Sequence, residues 1–318
     1  MLISQHNRIL KCAVSLYLLL LSVGSLSQQN PFPPGASLQG SRRGFHTQLV
    51  PEKEAKQPLE KAPAALFRTV KYPSPAGALA AYISPKPSDS AKHPAIVWIT
   101  GGDCNSIGDV WSPAKRDNDQ TAAAYRKAGI VMMFPSLRGG NTNPGVKEGF
   151  LGEVDDVLAA ADYLSKQTYV DPKRIYLGGH STGGTLALLV AESSDRFRAV
   201  FAFGPIADVG MYGEDSGFLP FEVSNRKEIV LRSPYYWLAS IHSPVWVLEG
   251  TEGNLSSLML MQQAPHTPST HFIEIKGAGH FETLAPTNNL IAKKILQDTA
   301  GKSQLSLSAA EVNRLFTH

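Results

Sequence analysis

Residues 176–186 read Tyr176-Leu177-Gly178-Gly179-His180-Ser181-Thr182-Gly183-Gly184-Thr185-Leu186, with a glycine two positions to either side of the serine. A short apolar stretch leads into this serine and a helix-forming run leaves it. A serine on a sharp strand-to-helix turn sits in strained backbone geometry, and small neighbours let adjacent chain pass close. The turn lifts the hydroxyl above a sheet edge and sets it near a helix N-terminus, whose N–H groups can face a developing oxyanion. That is the chemistry of a nucleophile in acyl transfer, and Ser181 is its candidate. The bare Gly-x-Ser-x-Gly spacing arises by chance in about one chain in ten of this length. Its weight comes from the strand and helix around it.

The chain has 318 residues, 43% of them hydrophobic, enough for one large α/β domain. Its net charge of +3 is modest, and no basic stripe with interleaved aromatics occurs, so nucleic acid is not an expected partner. The nine histidines and two cysteines never fall at metal-ligand spacing, so no metal is expected. Arg8 and Lys11, an apolar core over residues 13–21 and small residues near Gly24, Ser25 and Ser27 have the layout of a secretory signal peptide, here assigned to residues 1–27. The expected location is therefore secreted or periplasmic, with no stable membrane span after cleavage. An uncleaved signal anchor is the alternative, although the apolar run is short for a span. Cleavage removes Cys12 and leaves Cys104 with no intramolecular disulfide partner.

Residues 28–63 are rich in Pro, Gly, Ser, Gln and Lys, which predicts a disordered arm with Arg42 and Arg43 as solvated charges. The catalytic domain is expected over residues 64–300. Strands are predicted at 66–72 and 78–83, joined by a Pro/Gly turn, and at 95–100, 130–134, 174–177, 199–203, 245–248 and 271–275. Helices are predicted at 114–128, 153–166, 256–263 and 288–298. Alternating strands and helices imply a mostly parallel central sheet flanked by helices. About forty residues separate the strands at 203 and 245, and the aromatic-rich part at 211–240 reads equally as a cap over the site or as ordinary helical packing. A tail over 301–318 ends in a short helix opened by the capping box Ser308 to Glu311.

The strand–Gly-x-Ser-x-Gly–helix pattern resembles the nucleophile elbow of the α/β-hydrolases, in which nucleophile, acid and histidine follow one another along the chain. That resemblance implies a general base after the last strand, where Gly277-Ala278-Gly279-His280-Phe281 supplies His280. His180 reads as structural, because neighbours on an elbow point apart. His266 and His271 lie before or within the last strand. For the acid, Glu252 just past the strand at 245–248 is the candidate, with Glu249 and Asp208 as rivals. The oxyanion hole is expected from the backbone N–H of Thr182 and from the loop Gly101-Gly102-Asp103-Cys104, with Gly102 and Asp103 as donors. Cys104 itself is read as loop packing.

A narrower resemblance rests on Arg138-Gly139-Gly140-Asn141, Asp155-Asp156, Val170-Asp171-Pro172, Gly179-His180-Ser181-Thr182-Gly183-Gly184 and Gly279-His280-Phe281. Together these are similar to the catalytic domain of prolyl oligopeptidase-like serine hydrolases over about residues 66–300. The resemblance implies an acyl-enzyme on Ser181, His280 as base and no dissociable cofactor. Three departures qualify it. The family's aspartate slot is Gly253, the place of its oxyanion tyrosine is Thr100, and the chain has no room for the family's N-terminal propeller. The expected activity is cleavage of a small ester or a short peptide, esters slightly ahead. The competing expectation is a catalytically impaired binding protein on a hydrolase scaffold, prompted by the empty acid slot.

Overall fold

A computed structural model describes residues 30–50, 57–213, 218–299, 301 and 303–317. The proposed leader at 1–27 lies outside them. The sheet contains β1 (Arg68–Ser74), β2 (Gly77–Ile83), β3 (His93–Ile99), β4 (Val131–Pro135), β5 (Val170–His180), β6 (Val200–Phe203), β7 (Val245–Gly250) and β8 (Thr270–Ile275). Their spatial order is β1-β2-β4-β3-β5-β6-β7-β8. The β1–β2 hairpin pairs antiparallel with itself and with β4, and β3 to β8 run parallel. This is the α/β-hydrolase sheet. Central strands such as β4 and β7 are buried at every position, as apolar strands covered on both faces must be.

Among the described residues the α-helices are α1 (Leu38–Arg42), α2 (Ala123–Lys127), α3 (Glu153–Ser165), α4 (Thr182–Ser193), α5 (Arg226–Val230), α6 (Leu255–Gln263), α7 (Leu284–Gln297) and α8 (Ala309–Asn313). One core cluster joins α3, α4 and α6 to one sheet face, and a second joins α2, α7 and α8 to the other. The helix expected at 114–128 survives only as α2. Asp119 turns its carboxylate onto the N–H of Thr121, and Ala122 adopts a φ of 46°, so the chain reaches helical geometry late. The capping box on α8 forms as read.

The segment read as a disordered arm is ordered where it is described. Leu38 of α1 is fully buried in the core against α4, and Phe32 packs edge-on against Trp237 at 5.4 Å. Arg42, read as a solvated charge, donates to Asp155 and to the carbonyl of Leu151. Thr47 and Gln48 donate to Glu228, and Val50 donates to the carbonyl of Pro220. Composition signalled disorder because this stretch has few apolar residues; of these Leu38 is buried, and Phe32, Ala36 and Phe45 pack half-buried against the core. Much of the 211–240 segment is wall rather than lid. Phe221, Ile229, Leu231, Trp237 and Leu238 are buried in the same core cluster.

Candidate active site

Ser181 is the single residue between β5 and α4, with φ 57° and ψ −118°. A non-glycine residue held there costs on the order of 1–3 kcal/mol, so its surroundings must impose it. Its N–H donates to the carbonyl of Phe203, and its own carbonyl accepts from the N–H of Thr185. The flanking glycines are required sterically. A Cβ at 179 would lie 2.3 Å from the carbonyl oxygen of Gly183, and one at 183 the same distance from that of Ile99.

The parallel register aligns three strand ends. His180 pairs with Phe203, and Phe203 with Leu248. The ladder runs one step further, through Ser181 N–H to Phe203 and Gly204 N–H to Leu248. Ser181, Gly204 and Glu249 therefore stand in one row across adjacent strands, each about 4.8 Å from the next. The imidazole of His280 lies over the middle of that row. A Cβ on Gly204 would fall 2.3 Å from its Cε1 and 2.7 Å from its Nδ1.

His280 follows β8 through a turn in which the Gly279 N–H donates to Glu282 and Glu252 N–H donates to the carbonyl of Ala278. Its Nδ1 lies 2.9 Å from Oε2 of Glu249, whose side chain is 1% exposed. The other carboxylate oxygen of Glu249 accepts from the N–H of Gly250. A carboxylate at Nδ1 places the ring proton there and leaves Nε2 bare as a base. Neither Nε2 nor the Ser181 hydroxyl has a hydrogen-bond partner among the described residues, so both remain available to a substrate. In ligand-free hydrolases this contact often tightens only on binding.

The acid position corrects the expectation. Glu252 is exposed and makes no contact with the ring nitrogens of His280. The strand runs on to Gly250, so Glu249 is still within the sheet and in the row, whereas Glu252 has entered the following turn. A Cβ on Gly253 would lie 2.5 Å from Oε1 of Glu249. The strand glutamate thus fills the space that a side chain at 253 would take. Asp208 is engaged elsewhere, accepting from Gly210 N–H and from the Tyr236 hydroxyl. The signal available in sequence was a carboxylate closing an all-apolar strand, which has to find a buried partner.

The β3 loop passes beside the nucleophile. A Cβ on Gly101 would lie 3.2 Å from that of Ser181, and the Thr182 hydroxyl donates to the carbonyl of Gly102. Gly102 has a φ of 73°, which glycine adopts without strain. The backbone N–H groups of Thr182, Gly102 and Asp103 donate to no acceptor among the described residues. The loop is anchored from behind by Asn105, which donates to the carbonyl of Arg138 and to the buried Glu153. Cys104 is buried, and burial pushes its thiol well above the usual range, so it packs the loop as expected.

Residues 117–261 match the model of the prolyl oligopeptidase family. The fold is that of the α/β-hydrolases, and this stretch, somewhat under half of the chain, is similar to the prolyl oligopeptidase family. A dipeptidyl-peptidase 5 of Porphyromonas endodontalis is 27% identical over 183 residues, covering 51% of this chain and 25% of the relative. Among solved structures, a puromycin-hydrolysing peptidase of Mycobacterium tuberculosis aligns with a TM-score of 0.57 at 21% identity, over 73% of this chain and 39% of its own. An esterase of Pyrobaculum calidifontis aligns with a TM-score of 0.50 at 15% identity, over 76% and 87%. The chain thus spans a quarter of the curated peptidase it matches.

On the solvent side of His280 lies an open cavity of about 690 Å³, lined by Lys115, Asp117, Glu252, Phe281 and Glu282 among others. Glu252 thus borders the site without pairing with the base. No described helix is long and apolar enough to cross a membrane. No cluster of metal-ligating side chains occurs among the described residues.

Proposed function

We propose that this hydrolase cleaves an ester or amide bond by acyl transfer. The Ser181 hydroxyl attacks the substrate carbonyl while Nε2 of His280 takes its proton. The imidazolium then carries its Nδ1–H against Glu249 and passes the Nε2 proton to the leaving group. Water repeats the sequence on the acyl-enzyme and frees Ser181. The N–H groups of Thr182 and of Gly102 or Asp103 serve as oxyanion donors. The observation that carries this reading is the buried Glu249–His280 pair, lying over the row of strand ends that begins at Ser181.

The relatives named above include both peptidases and an esterase, so family alone leaves the bond open. Thr100 in place of an oxyanion tyrosine favours a backbone-only hole and a small ester over a peptide. Export through a leader at 1–27 belongs to the same proposal, and N-terminal sequencing of the mature protein tests it. The competing non-catalytic reading drew on the missing aspartate at 253, and Glu249 occupying that space removes its motive.

A fluorophosphonate probe should label the wild-type protein at neutral pH and fail to label Ser181→Ala. Folded wild-type protein left unlabelled would refute the enzyme reading. A panel of p-nitrophenyl esters and aminoacyl p-nitroanilides then decides the bond type.

A further inference from the structure

The residue before the nucleophile is a histidine with no exposed surface at all. Its side chain packs against the turn that carries the base. There its Nε2 lies 3.2 Å from the main-chain oxygen of His280, and the two imidazole centroids are 4.5 Å apart. Phe281 closes the group, with its ring 5.2 Å from His180 and 5.1 Å from His280. A carbonyl oxygen can only accept, so Nε2 of His180 must carry the proton. The neutral ring has one N–H, which leaves Nδ1 bare, and that atom is buried with no donor. On this side the β3 loop closes in, and a Cβ on Gly101 would come 3.1 Å from Nδ1.

We propose that His180 is a positioning residue for the base: as a neutral donor to the His280 carbonyl, wedged against Gly101, it sets where the His280 ring stands above Ser181. The inference rests on the hydrolase reading above. Packing alone does not account for this side chain, since a phenylalanine of similar size would fill the space without stranding a polar nitrogen. Nor would a cationic donor serve, because it would oppose the imidazolium that forms 4.5 Å away. Burial first, and the neighbouring His280 second, push the His180 pKa down to about 3, so the ring stays neutral while its neighbour cycles. The charged and titratable groups in this packing are His280 itself and, behind it, Glu249.

The experiment compares His180→Phe, which keeps the volume and loses the donor, with His180→Gln, whose side-chain amide can donate. Both are first checked for a cooperative thermal transition. On an ester that the wild type turns over, His180→Phe should lower kcat roughly ten- to a hundredfold with KM within about threefold, as expected for a base displaced by about an ångström. His180→Gln should recover most of that loss. The Nδ1–H proton signal of His280, read by NMR, should move in the Phe variant and return in the Gln variant. Wild-type kcat and an unmoved signal in His180→Phe would overturn the inference, as would equal losses in both variants. Should the wild type prove inert to every ester and to fluorophosphonate, the hydrolase reading falls. The proton signal still decides the placement of His280 on its own.

Discussion

Glu249 is a carboxylate with 1% of its side chain exposed, ending a strand that is otherwise apolar. Isolated, it would be expensive to keep ionised. It has instead a backbone donor on one oxygen and the His280 ring on the other. In the proposed mechanism this pair holds the ring proton on Nδ1 and leaves the opposite nitrogen as the base. Glu249→Gln keeps the shape but offers an amide to the ring, which favours the wrong tautomer, and should lower kcat by about 10³- to 10⁴-fold. Glu252→Gln, in the exposed turn, should stay within about threefold of wild type. Steady-state kinetics on the two variants side by side distinguish the strand acid from the loop acid. The reverse ranking would restore Glu252 to the role first expected of it.

At the level of strands, the site is a consequence of parallel pairing. Because β5, β6 and β7 end in register, their next residues fall in a line, and the middle one has to be glycine for an imidazole to lie across it. The base loop then needs only to fold back over β7, where Gly250 lets the carbonyl of Ala278 approach; a Cβ there would be 2.0 Å from it. Acid and empty slot are complementary, with Glu249 filling the space that a side chain at 253 would take. Gly253→Asp alone should therefore collide with Glu249 and impair the enzyme. In Glu249→Ala the same substitution should restore at least about tenfold of the lost kcat by supplying a carboxylate from the loop, a coupling between neighbouring residues that a double-mutant cycle measures. Simple additivity of the two changes would argue against the exchange.

Over the whole molecule, residues 30–50 are part of the folded body. Leu38 reaches the core beside α4, the helix that presents Ser181, and Arg42 ties the same segment to Asp155 on α3. Arg232 is fully buried where this segment meets the β6–β7 connection. It donates to the Thr47 hydroxyl and the Glu148 carbonyl, pairs with Glu228, and stacks over Phe221 at 4.1 Å. Leu38→Ala removes a fully buried side chain and should cost about 2–5 kcal/mol, read as a lower urea midpoint. A midpoint within error of wild type would mean the segment is an appendage after all.

Local patterns alone specify much of this protein. Apolar runs of four to six residues marked the buried strands, because a strand covered on both faces needs no polar alternation. The glycines around Ser181 announced an elbow whose steric demands are those the backbone meets, and a glycine-rich turn after the last strand announced His280. Residues far apart in the chain answered to other rules. Glu249 and Glu252 are three positions apart, and only the length of β7 and the bare Cα of Gly253 determine which one faces the ring. His180 touches the base because a turn a hundred residues later crosses over the same sheet edge. The segment at 28–63 looks unfoldable by composition, since composition averages over residues while burial acts on single ones such as Leu38. Chemistry could be read one residue at a time; partnership depended on where the sheet placed the ends of its strands.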